Sequence, residues 1–429
     1  MKSIPQFLLA APTSGSGKTT VCRLLMSALT RRGQKVQPFK CGPDYIDTKF
    51  HSMACGRPSL NLDSFMASAH HVKTVYAHYA QTADVCIVEG MMGMYDGYER
   101  DRGSSAEIAS ILDIPVILVI DAKSAAYSIA PLLKGFIEFR PNVKIAGVIF
   151  NKVGSSRHYE TLCQVAEELE LPCFGYIEKC KDIALPSRYL GLDFNNISTQ
   201  DVSYILEHVQ IENLLEHVTC DMPESDNSYL SNVYPREWHI CMAKNEDSFS
   251  FIYQEHIDIL EKWGHITYFN PEEDCIIPHD TDLIYLPGGY PEKHLNDLSE
   301  YTMHEIRQYG ERGGRIWAEC GGMMYLCREI RTDEGNRPMV GLLDYVISTE
   351  KGHRKLSLGY RKLQLNDGRV LRGHEFHYSQ FIGRKPQTIA EVRNARDEII
   401  DSPFFRYKNV TASYTHLYWN NDKNIYEDW

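Results

Sequence analysis

The stretch FLLAAPTSGSGKTTVCRLL, residues 7–25, decides the fold of the N-terminal half of this chain. Residues 7–11 are an apolar run typical of a buried strand, and residues 20–31 have the spacing of a helix with one apolar face. The segment between them is rich in glycine, serine and threonine. A strand, such a loop and a helix in this order predict a phosphate-binding loop, because small residues let backbone N–H groups approach phosphate oxygens.

The loop contains the side chains that a nucleoside triphosphate site needs. Lys18 would reach the terminal phosphates, and the hydroxyl of Thr19 would bind Mg²⁺. Ala11 or Pro12 stands where the usual pattern has its first glycine, but GKTT between a strand and a helix favours a phosphate site over an ordinary turn. The loop residues expected to bind nucleotide are Ser14, Gly15, Ser16, Gly17, Lys18 and Thr19.

Strands and helices continue to alternate as far as residue 218. This alternation predicts an α/β domain, residues 1–218, with a P-loop-type, doubly wound parallel sheet. Further strands are expected at 85–88, 115–120 and 145–150, and a helix at 125–139.

A second α/β pattern follows a polar stretch. Residues 219–236 contain two prolines and lack helix or strand periodicity, so we expect a linker there. The second domain is expected at 237–429, and its polar, acidic end at 420–429 is expected to be solvated. Within it we expect strands at 239–243, 283–286 and 315–318, and helices at 256–263 and 303–312.

Composition excludes several classes of protein. The 429 residues include 45 Lys and Arg against 57 Asp and Glu, a net charge of −12, which argues against binding to nucleic acid or to an anionic membrane surface. No run approaches the ~20 apolar residues of a membrane span. The 12 cysteines are scattered and form no CxxC pair, which favours reduced thiols in a cytoplasmic protein over disulfides or a zinc site.

Polar residues follow several predicted strands of the first domain. Asp44 lies in GPDYID, Glu89 follows the strand at 85–88, and Asn151 follows the strand at 145–150. Ligands of open parallel sheets bind at the carboxyl ends of the strands. We therefore expect Asp44 and Glu89 to hold Mg²⁺ beside Thr19, although each alone would more often be a turn residue or a helix cap. Asn151 could hydrogen-bond an adenine edge.

The segment IWAECGGMMYL, residues 316–326, predicts a nucleophilic cysteine. Cys320 lies between a predicted strand and a helix, with small residues on both sides, as in a nucleophile elbow. Such a turn points backbone N–H groups at an oxyanion, and a helix N-terminus lowers the pKa of a thiol. PGGYP, residues 287–291, is a second glycine turn after a strand. The expected oxyanion donors are Gly288, Gly289 and Gly321, and the expected base is His416 in ASYTHLYW.

Two further histidines, His374 and His377, lie in GHEFHYS. Residues three apart on a strand lie on opposite faces, and the spacing differs from that of HExxH. We therefore favour a substrate or structural role for them over metal binding.

In this order, the motifs resemble the cobyrinic acid a,c-diamide synthase family, over nearly the whole chain. The first half is similar to the dethiobiotin-synthetase-like ATP-binding fold, and the second to a class I, triad-type glutamine amidotransferase domain. The first half carries SGSGKTT, PFKCGPDYID, VEGMMGMYDG, GVIFNKVGSSRH and LPSRYLGL, and the second carries LPGGYPE, AECGGMMYL, GHEFHYS and ASYTHLYW.

The resemblance implies an amide synthesis that uses ATP, Mg²⁺ and glutamine. ATP would phosphorylate a carboxylate of a tetrapyrrole, and ammonia released from glutamine would attack the acyl phosphate, on the c and then the a acetate. By motif match, the ATP and Mg²⁺ site comprises Lys18, Thr19, Lys40, Asp44 and Glu89; the substrate site comprises Tyr45, Ile46 and Asp47; Cys320 is the nucleophile and His416 its base.

Some positions depart from the family. Tyr189 stands in LPSRYLGL where a histidine is commoner, which leaves the role of that position open. Leu417 and Tyr418 follow His416, whereas many class I amidotransferases have His-x-Glu, so the residue that orients His416 is unidentified.

Three alternatives remain from the sequence. Ni-sirohydrochlorin and hydrogenobyrinic acid are two alternative substrates for the same amidation chemistry. Whatever the substrate, the chain could form a homodimer. A P-loop regulatory ATPase with a degenerate amidotransferase domain is a different class, and the retention of Lys18, Cys320 and His416 argues against it.

Overall fold

The computed structural model describes residues 2–179, 198–226 and 228–419, and the chain forms two compact units, Met1–Tyr229 and Leu230–Trp429. The boundary between the units falls inside the stretch 219–236 that we expected to be a linker. Within that stretch, however, Thr219–Asp221 forms a strand, because its backbone pairs antiparallel with Ser3–Pro5 at the start of the chain. The expectation of a linker was wrong for those three residues.

The strands of the first unit are β1 (Ser3–Ala10), β2 (Val36–Cys41), β3 (Leu60–Leu62), β4 (Val85–Glu89), β5 (Val116–Asp121), β6 (Ile145–Val153), β7 (Cys173–Glu178) and β8 (Thr219–Asp221). Its helices are α1 (Lys18–Arg31), α2 (Ile46–Cys55), α3 (Ala69–Ala80), α4 (Ser105–Leu112), α5 (Ile129–Phe139), α6 (Ser156–Glu168), α7 (Thr199–His208) and α8 (Ile211–His217). The sheet has the order β3-β2-β4-β1-β5-β6-β7, and these seven strands are all parallel. This confirms the predicted α/β fold with a parallel sheet.

Helices cover both faces of this sheet because its strands are apolar on both faces. Along β1, Phe7 and Leu9 belong to one buried cluster, whereas Leu8 and Ala10 belong to another. Successive side chains of a strand point to opposite faces, so an uninterrupted apolar run supplies both cores at once. Only the carboxyl ends of the strands then offer polar side chains to a ligand.

Two predicted helices differ from the observed ones at their N-termini. The helix expected from residue 20 begins at Lys18, because Gly17 adopts a left-handed φ of 93° and turns the loop directly into the helix. The helix expected from residue 125 begins at Ile129, because Ser124 has a φ of 62° and a turn precedes the helix.

The strands of the second unit are β9 (Trp238–Ala243), β10 (Gly264–Phe269), β11 (Leu283–Leu286), β12 (Arg315–Glu319), β13 (Cys327–Thr332), β14 (Gly335–Pro338), β15 (Leu343–Ser348), β16 (Ser357–Leu365), β17 (Val370–His377), β18 (Gln380–Ile382), β19 (Ala390–Asn394), β20 (Phe404–Tyr407), β21 (Val410–Ser413) and β22 (His416–Leu417). Its helices are α9 (Gln254–Trp263), α10 (Glu300–Glu311) and α11 (Gly321–Leu326), with a 3₁₀ turn at Pro291–Lys293.

The main sheet of the second unit has the order β10-β9-β11-β12-β21-β20, with β20 antiparallel and the others parallel. Two four-stranded sheets accompany it, β14-β13-β15-β18 and β19-β16-β17-β22. The second domain is therefore α/β, as expected, and strands β11 and β12 end at the two glycine turns of the predicted thiol site.

A search of the described residues for a helix long and apolar enough to cross a membrane found none. Every cysteine in the described ranges is a free thiol.

Candidate active sites

The phosphate loop joins β1 to α1 and is hydrogen-bonded to side chains at the end of β6. The side-chain amide of Asn151 donates to the carbonyl of Ser16 at 2.8 Å, and a Cβ on Gly17 would lie 2.1 Å from the Asn151 nitrogen. The ammonium of Lys152 donates to the carbonyl of Gly15 at 2.9 Å. Asn151 thus packs against the loop and supports it; its contact with adenine stays a prediction.

The side chain of Lys18 connects the loop to the segment that follows β4. Its ammonium donates to the carbonyl of Thr13 at 3.5 Å and to that of Met92, in the VEGMMG segment after β4. Ser14 and Gly15 are exposed at the tip of the loop. A cation beside exposed backbone at a helix N-terminus is suited to bind phosphate.

Lys40 and Glu89 face each other at the carboxyl ends of neighbouring strands. They are paired in the register of β2 and β4, and their side chains are 3.0 Å apart. Asp47, from the first turn of α2, lies 2.8 Å from the same ammonium, and all three side chains are buried. Burial alone would lower the pKa of Lys40, but Asp47 and Glu89 outweigh it and raise that pKa.

Glu89 is the centre of this buried network. Its Oε1 accepts a hydrogen bond from Thr19 at 2.6 Å, and its Oε2 lies 2.6 Å from Nε2 of His51. Burial would raise the pKa of Glu89, but Lys40 and the His51 hydrogen bond hold it well below its usual range. The structure thus brings Thr19, Lys40 and Glu89 together, as the sequence predicts, and adds His51, which sequence reasoning missed.

Asp44 and the residues after it form the start of α2. The Oδ1 atom of Asp44 accepts hydrogen bonds from the backbone N–H groups of Ile46 and Asp47, both at 2.9 Å. This carboxylate therefore caps the helix, which is the alternative that the sequence left open. Tyr45 and Ile46 are half-buried beside it, whereas Asp47, expected to meet the substrate, is paired with Lys40.

The oxygen atoms beside the loop fit Mg²⁺. The Thr19 hydroxyl and the Glu89 carboxylate are hard oxygen ligands that converge at 2.6 Å. Cys22, His51 and Glu89 also form a group whose ligand atoms lie within 4.8 Å of one another. Burial, and next the charge of Glu89, raise the pKa of the Cys22 thiol.

The second site is built around the turn between β12 and α11. Cys320 is buried and has φ 46° and ψ −108°, a conformation that is uncommon for a residue other than glycine. Its N–H donates to the carbonyl of Ser413 on β21 at 2.8 Å, and its carbonyl accepts from Met324 at 2.9 Å. These two bonds hold the strained turn that the nucleophile elbow requires.

The two glycine turns pack directly against each other. A Cβ on Gly321 would lie 2.5 Å from the carbonyl oxygen of Gly289, and a Cβ on Gly288 would lie 2.1 Å from Cε1 of His416. Gly289 of the second turn therefore packs against Gly321, the neighbour of Cys320, and His416 packs against Gly288. The contact of these three glycines with an oxyanion stays a prediction.

His416 is buried on β22, and a carboxylate lies beside it. Nδ1 of His416 is 3.6 Å from Oε2 of Glu319, the residue that precedes the nucleophile. Trp317 Nε1 donates to Oε1 of Glu319 at 2.8 Å, and the Tyr285 hydroxyl donates to Oε2 at 3.2 Å. Sequence reasoning missed Glu319; the available signal was a carboxylate in an otherwise apolar strand.

The thiol of Cys320 is not activated by the helix alone. Burial, and next the charge of Glu292, raise its pKa above the ordinary value, and the backbone N–H of Gly321 lowers it by less. Burial likewise raises the pKa of Glu292 to about 7. The expectation that the helix N-terminus would depress the thiol pKa was wrong, because desolvation outweighs it. The thiol therefore needs a base.

His374 and His377 lie on opposite faces of β17, as expected. The ring of His377 stacks on Tyr414 with 3.7 Å between centroids, and His374 makes an edge contact with Tyr360 at 5.8 Å. The group of candidate metal ligands found among the described residues does not include them. Tyr189 and the tail at 420–429 lie outside the described residues.

Two family models match the chain, one to each half. Residues 7–191 match the CobQ/CobB/MinD/ParA nucleotide binding domain, and residues 239–424 match the CobB/CobQ-like glutamine amidotransferase domain. The first match contains the phosphate loop and Glu89, and the second contains Cys320 and His416.

Curated relatives are similar over nearly their full length. A cobyrinate a,c-diamide synthase of Caldanaerobacter subterraneus is 38% identical, covering 96% of this chain and 94% of the relative. A hydrogenobyrinate a,c-diamide synthase of Brucella anthropi is 36% identical, covering 96% and 98%. A cobyrinate a,c-diamide synthase of Salmonella typhimurium is 36% identical, covering 99% and 97%. This chain therefore belongs to the cobyrinic acid a,c-diamide synthase family.

Proposed function

We propose that this protein uses ATP and glutamine to amidate the a and c acetate carboxylates of cobyrinic acid. The observation that carries the proposal is that one chain has both kinds of candidate site. One is a phosphate loop whose Thr19 meets Glu89 at 2.6 Å, and the other is a cysteine elbow beside a second glycine turn, against whose Gly288 the ring of His416 packs.

The first site would activate the carboxylate. The loop N–H groups and Lys18 would bind the phosphates of ATP, while Thr19 and Glu89 would hold Mg²⁺ together with Asp44. Bound Mg²⁺ neutralises phosphate charge during phosphoryl transfer. A substrate carboxylate oxygen would attack the terminal phosphorus, which gives an acyl phosphate and ADP. Amidation of a carboxylate is uphill in water, and this step supplies the leaving group.

The second site would release ammonia. His416 would take the proton of the Cys320 thiol, and the thiolate would attack the carboxamide of glutamine. The oxyanion would be held by N–H groups of the two glycine turns. His416 would return the proton to the departing ammonia, which leaves a glutamyl thioester that water hydrolyses to glutamate.

Ammonia would then displace phosphate from the acyl phosphate to form the amide, first on the c and then on the a acetate. The names of the relatives support amidation at the a and c positions, whereas the order of the two steps rests on the sequence resemblance. Hydrogenobyrinic acid is a second candidate substrate, favoured by the Brucella relative. Ni-sirohydrochlorin is a third, and it rests on the sequence resemblance alone.

The test is incubation of the full chain with MgATP, glutamine and each of the three macrocycles, followed by mass spectrometry. We expect a diamide of cobyrinic acid that depends on both ATP and glutamine. Lys18→Ala is the matched control and should form no product. Turnover of Ni-sirohydrochlorin without turnover of either corrinoid would contradict the proposal.

A further inference from the structure

We propose that Glu319 is the positioning residue of His416: its carboxylate accepts a hydrogen bond from the Nδ1–H group and fixes the tautomer that leaves Nε2 to receive the thiol proton. The inference rests on the proposed function, because it assigns a role within glutamine hydrolysis. It supplies the partner that the sequence around His416 does not.

The positions after His416 are used for other contacts. Leu417 is buried in an apolar cluster, and the hydroxyl of Tyr418 donates to Glu255 at 2.5 Å. Neither side chain is a carboxylate, so the His-x-Glu arrangement of many amidotransferases is absent from this strand. An acidic partner for His416 therefore has to come from another element.

Glu319 is placed to be that partner. It is the last residue of β12, is 2% exposed, and its Oε2 lies 3.6 Å from Nδ1 of His416. This distance is longer than a good hydrogen bond, but such bonds are often long without substrate and tighten when it binds. Nδ1 and Nε2 flank Cε1, which packs on Gly288, so a ring with Nδ1 toward Glu319 presents Nε2 on its other side.

The carboxylate of Glu319 is oriented by two neutral hydrogen-bond donors. The indole N–H of Trp317 and the hydroxyl of Tyr285 bind one oxygen each, at 2.8 and 3.2 Å. Neutral donors orient the carboxylate without cancelling its charge. That charge is then available to stabilise the imidazolium that forms when His416 takes the thiol proton, as in other triads.

The experiment uses the full chain with Glu319→Gln, and with Glu255→Gln as a matched control. Both variants convert a buried carboxylate of the second unit to an amide. Glutamine hydrolysis and ammonia-dependent amidation are measured by steady-state kinetics. The tautomer of His416 is read from ¹⁵N-histidine NMR spectra, with its resonances assigned by their loss in His416→Ala.

We expect Glu319→Gln to lower kcat for glutamine hydrolysis on the order of 10²-fold, with KM changed by less than about threefold. Its ammonia-dependent amidation should equal wild type. The spectrum should show the Nδ1–H tautomer in the wild type and in Glu255→Gln, and its loss in Glu319→Gln. Glu319→Asp keeps the charge and should retain the tautomer with an intermediate kcat, which tests the idea if the Gln variant does not fold.

Three results would overturn the inference. They are a wild-type kcat in Glu319→Gln, an unchanged His416 tautomer in Glu319→Gln, and an equal loss of kcat in Glu255→Gln. Cys320→Ala, assayed in parallel, separates this failure from a failure of the proposed function. If Cys320→Ala still uses glutamine, the function is wrong; if it does not and Glu319→Gln keeps the wild-type kcat, only the role of Glu319 is wrong.

Discussion

The two sites of this chain achieve reactivity by different physical means. At the phosphate loop, Lys40, Asp47 and Glu89 form a buried network of charges, and the pKa shifts of Lys40 and Glu89 favour the ionised forms of those two groups. At the thiol site, Cys320 is held neutral by burial, and its environment is made by a strained turn and by close packing of glycines.

This difference predicts which substitutions each site can tolerate. Replacing a charge by an isosteric amide should damage the first site, because its energetics are electrostatic and its shape would be retained. Adding one methyl group should damage the second, because its backbone atoms are already in contact. The predictions below test this division, starting with the largest effect.

Cys320→Ala should lower glutamine-dependent amidation by at least about 10⁴-fold, because no other group at this site forms the thioester. High concentrations of ammonium salt at mildly alkaline pH should restore amidation, since the phosphate-loop site does not use the thiol. His416→Ala should show the same rescue. Product analysis with the two nitrogen sources provides the measurement. Loss of ammonia-dependent synthesis in a folded Cys320→Ala protein would contradict the separation of the two sites.

Glu89→Gln should lower amidation with either nitrogen source by at least about 10³-fold, because phosphoryl transfer depends on positioned charge. Glutamine hydrolysis, assayed in the same samples, should persist, since the residues of the thiol site lie in the second unit. Asp44→Asn is a sharper test, because asparagine can still cap α2 through its Oδ1 while the charge is lost. Near-normal product formation with ammonia by both variants would contradict the assignment.

Gly288→Ala should lower glutamine hydrolysis about 10²-fold, because a Cβ there would lie 2.1 Å from Cε1 of His416 and push the ring away. Ammonia-dependent amidation should not change. Gly352→Ala is the matched control in the same unit, since a Cβ there meets no atom within 4 Å. Equal activity of the two variants in a glutaminase assay would show that His416 does not need its present position.

Much of the fold follows from local sequence. The run at residues 7–11 is apolar on both faces and precedes a phosphate-binding loop motif, so β1 and α1 could be predicted together. The start of α5 could not, because the left-handed φ of Ser124 leaves no signal in a run of residues compatible with a helix. The strands between Cys327 and Asn394 could not be paired either, because their register depends on partners distant in sequence.

Some residues of the candidate sites could likewise be predicted from the sequence, and others could not. Lys18, Thr19 and Cys320 could be found because each belongs to a short motif with a chemical purpose. His51 and Glu319 could not, since each acts on a residue that only the fold brings close. His51 is 38 residues from Glu89 along the chain but 2.6 Å from its carboxylate. Polar residues inside apolar strands or on buried helix faces are the signal that sequence reasoning should weigh more.

The smallest expected effect concerns a charge network inside the second unit. Glu375, on β17, accepts hydrogen bonds from Arg361 at 2.9 Å and from Thr415 at 2.6 Å, next to His416. Burial would raise the pKa of Glu375, but His377, whose Nε2 lies 3.7 Å from Oε2, and the charge of Arg361 hold it well below its usual range. The second unit thus contains a buried electrostatic network next to a site built mainly by packing.

Glu375→Gln should lower the free energy of unfolding by about 3 kcal/mol at neutral pH, because it leaves Arg361 without its charge partner. A carboxyl whose pKa is depressed by folding stabilises the protein above its unfolded pKa, near 4.5, and this contribution is lost as the pH falls below that value. The difference in Tm between wild type and variant should therefore be largest near pH 7 and shrink towards pH 3. Glu391→Gln, which removes an exposed carboxylate paired with Arg393, should change Tm little at either pH. A difference between wild type and Glu375→Gln that stays constant down to pH 3 would show that the side chain stabilises by packing rather than by charge.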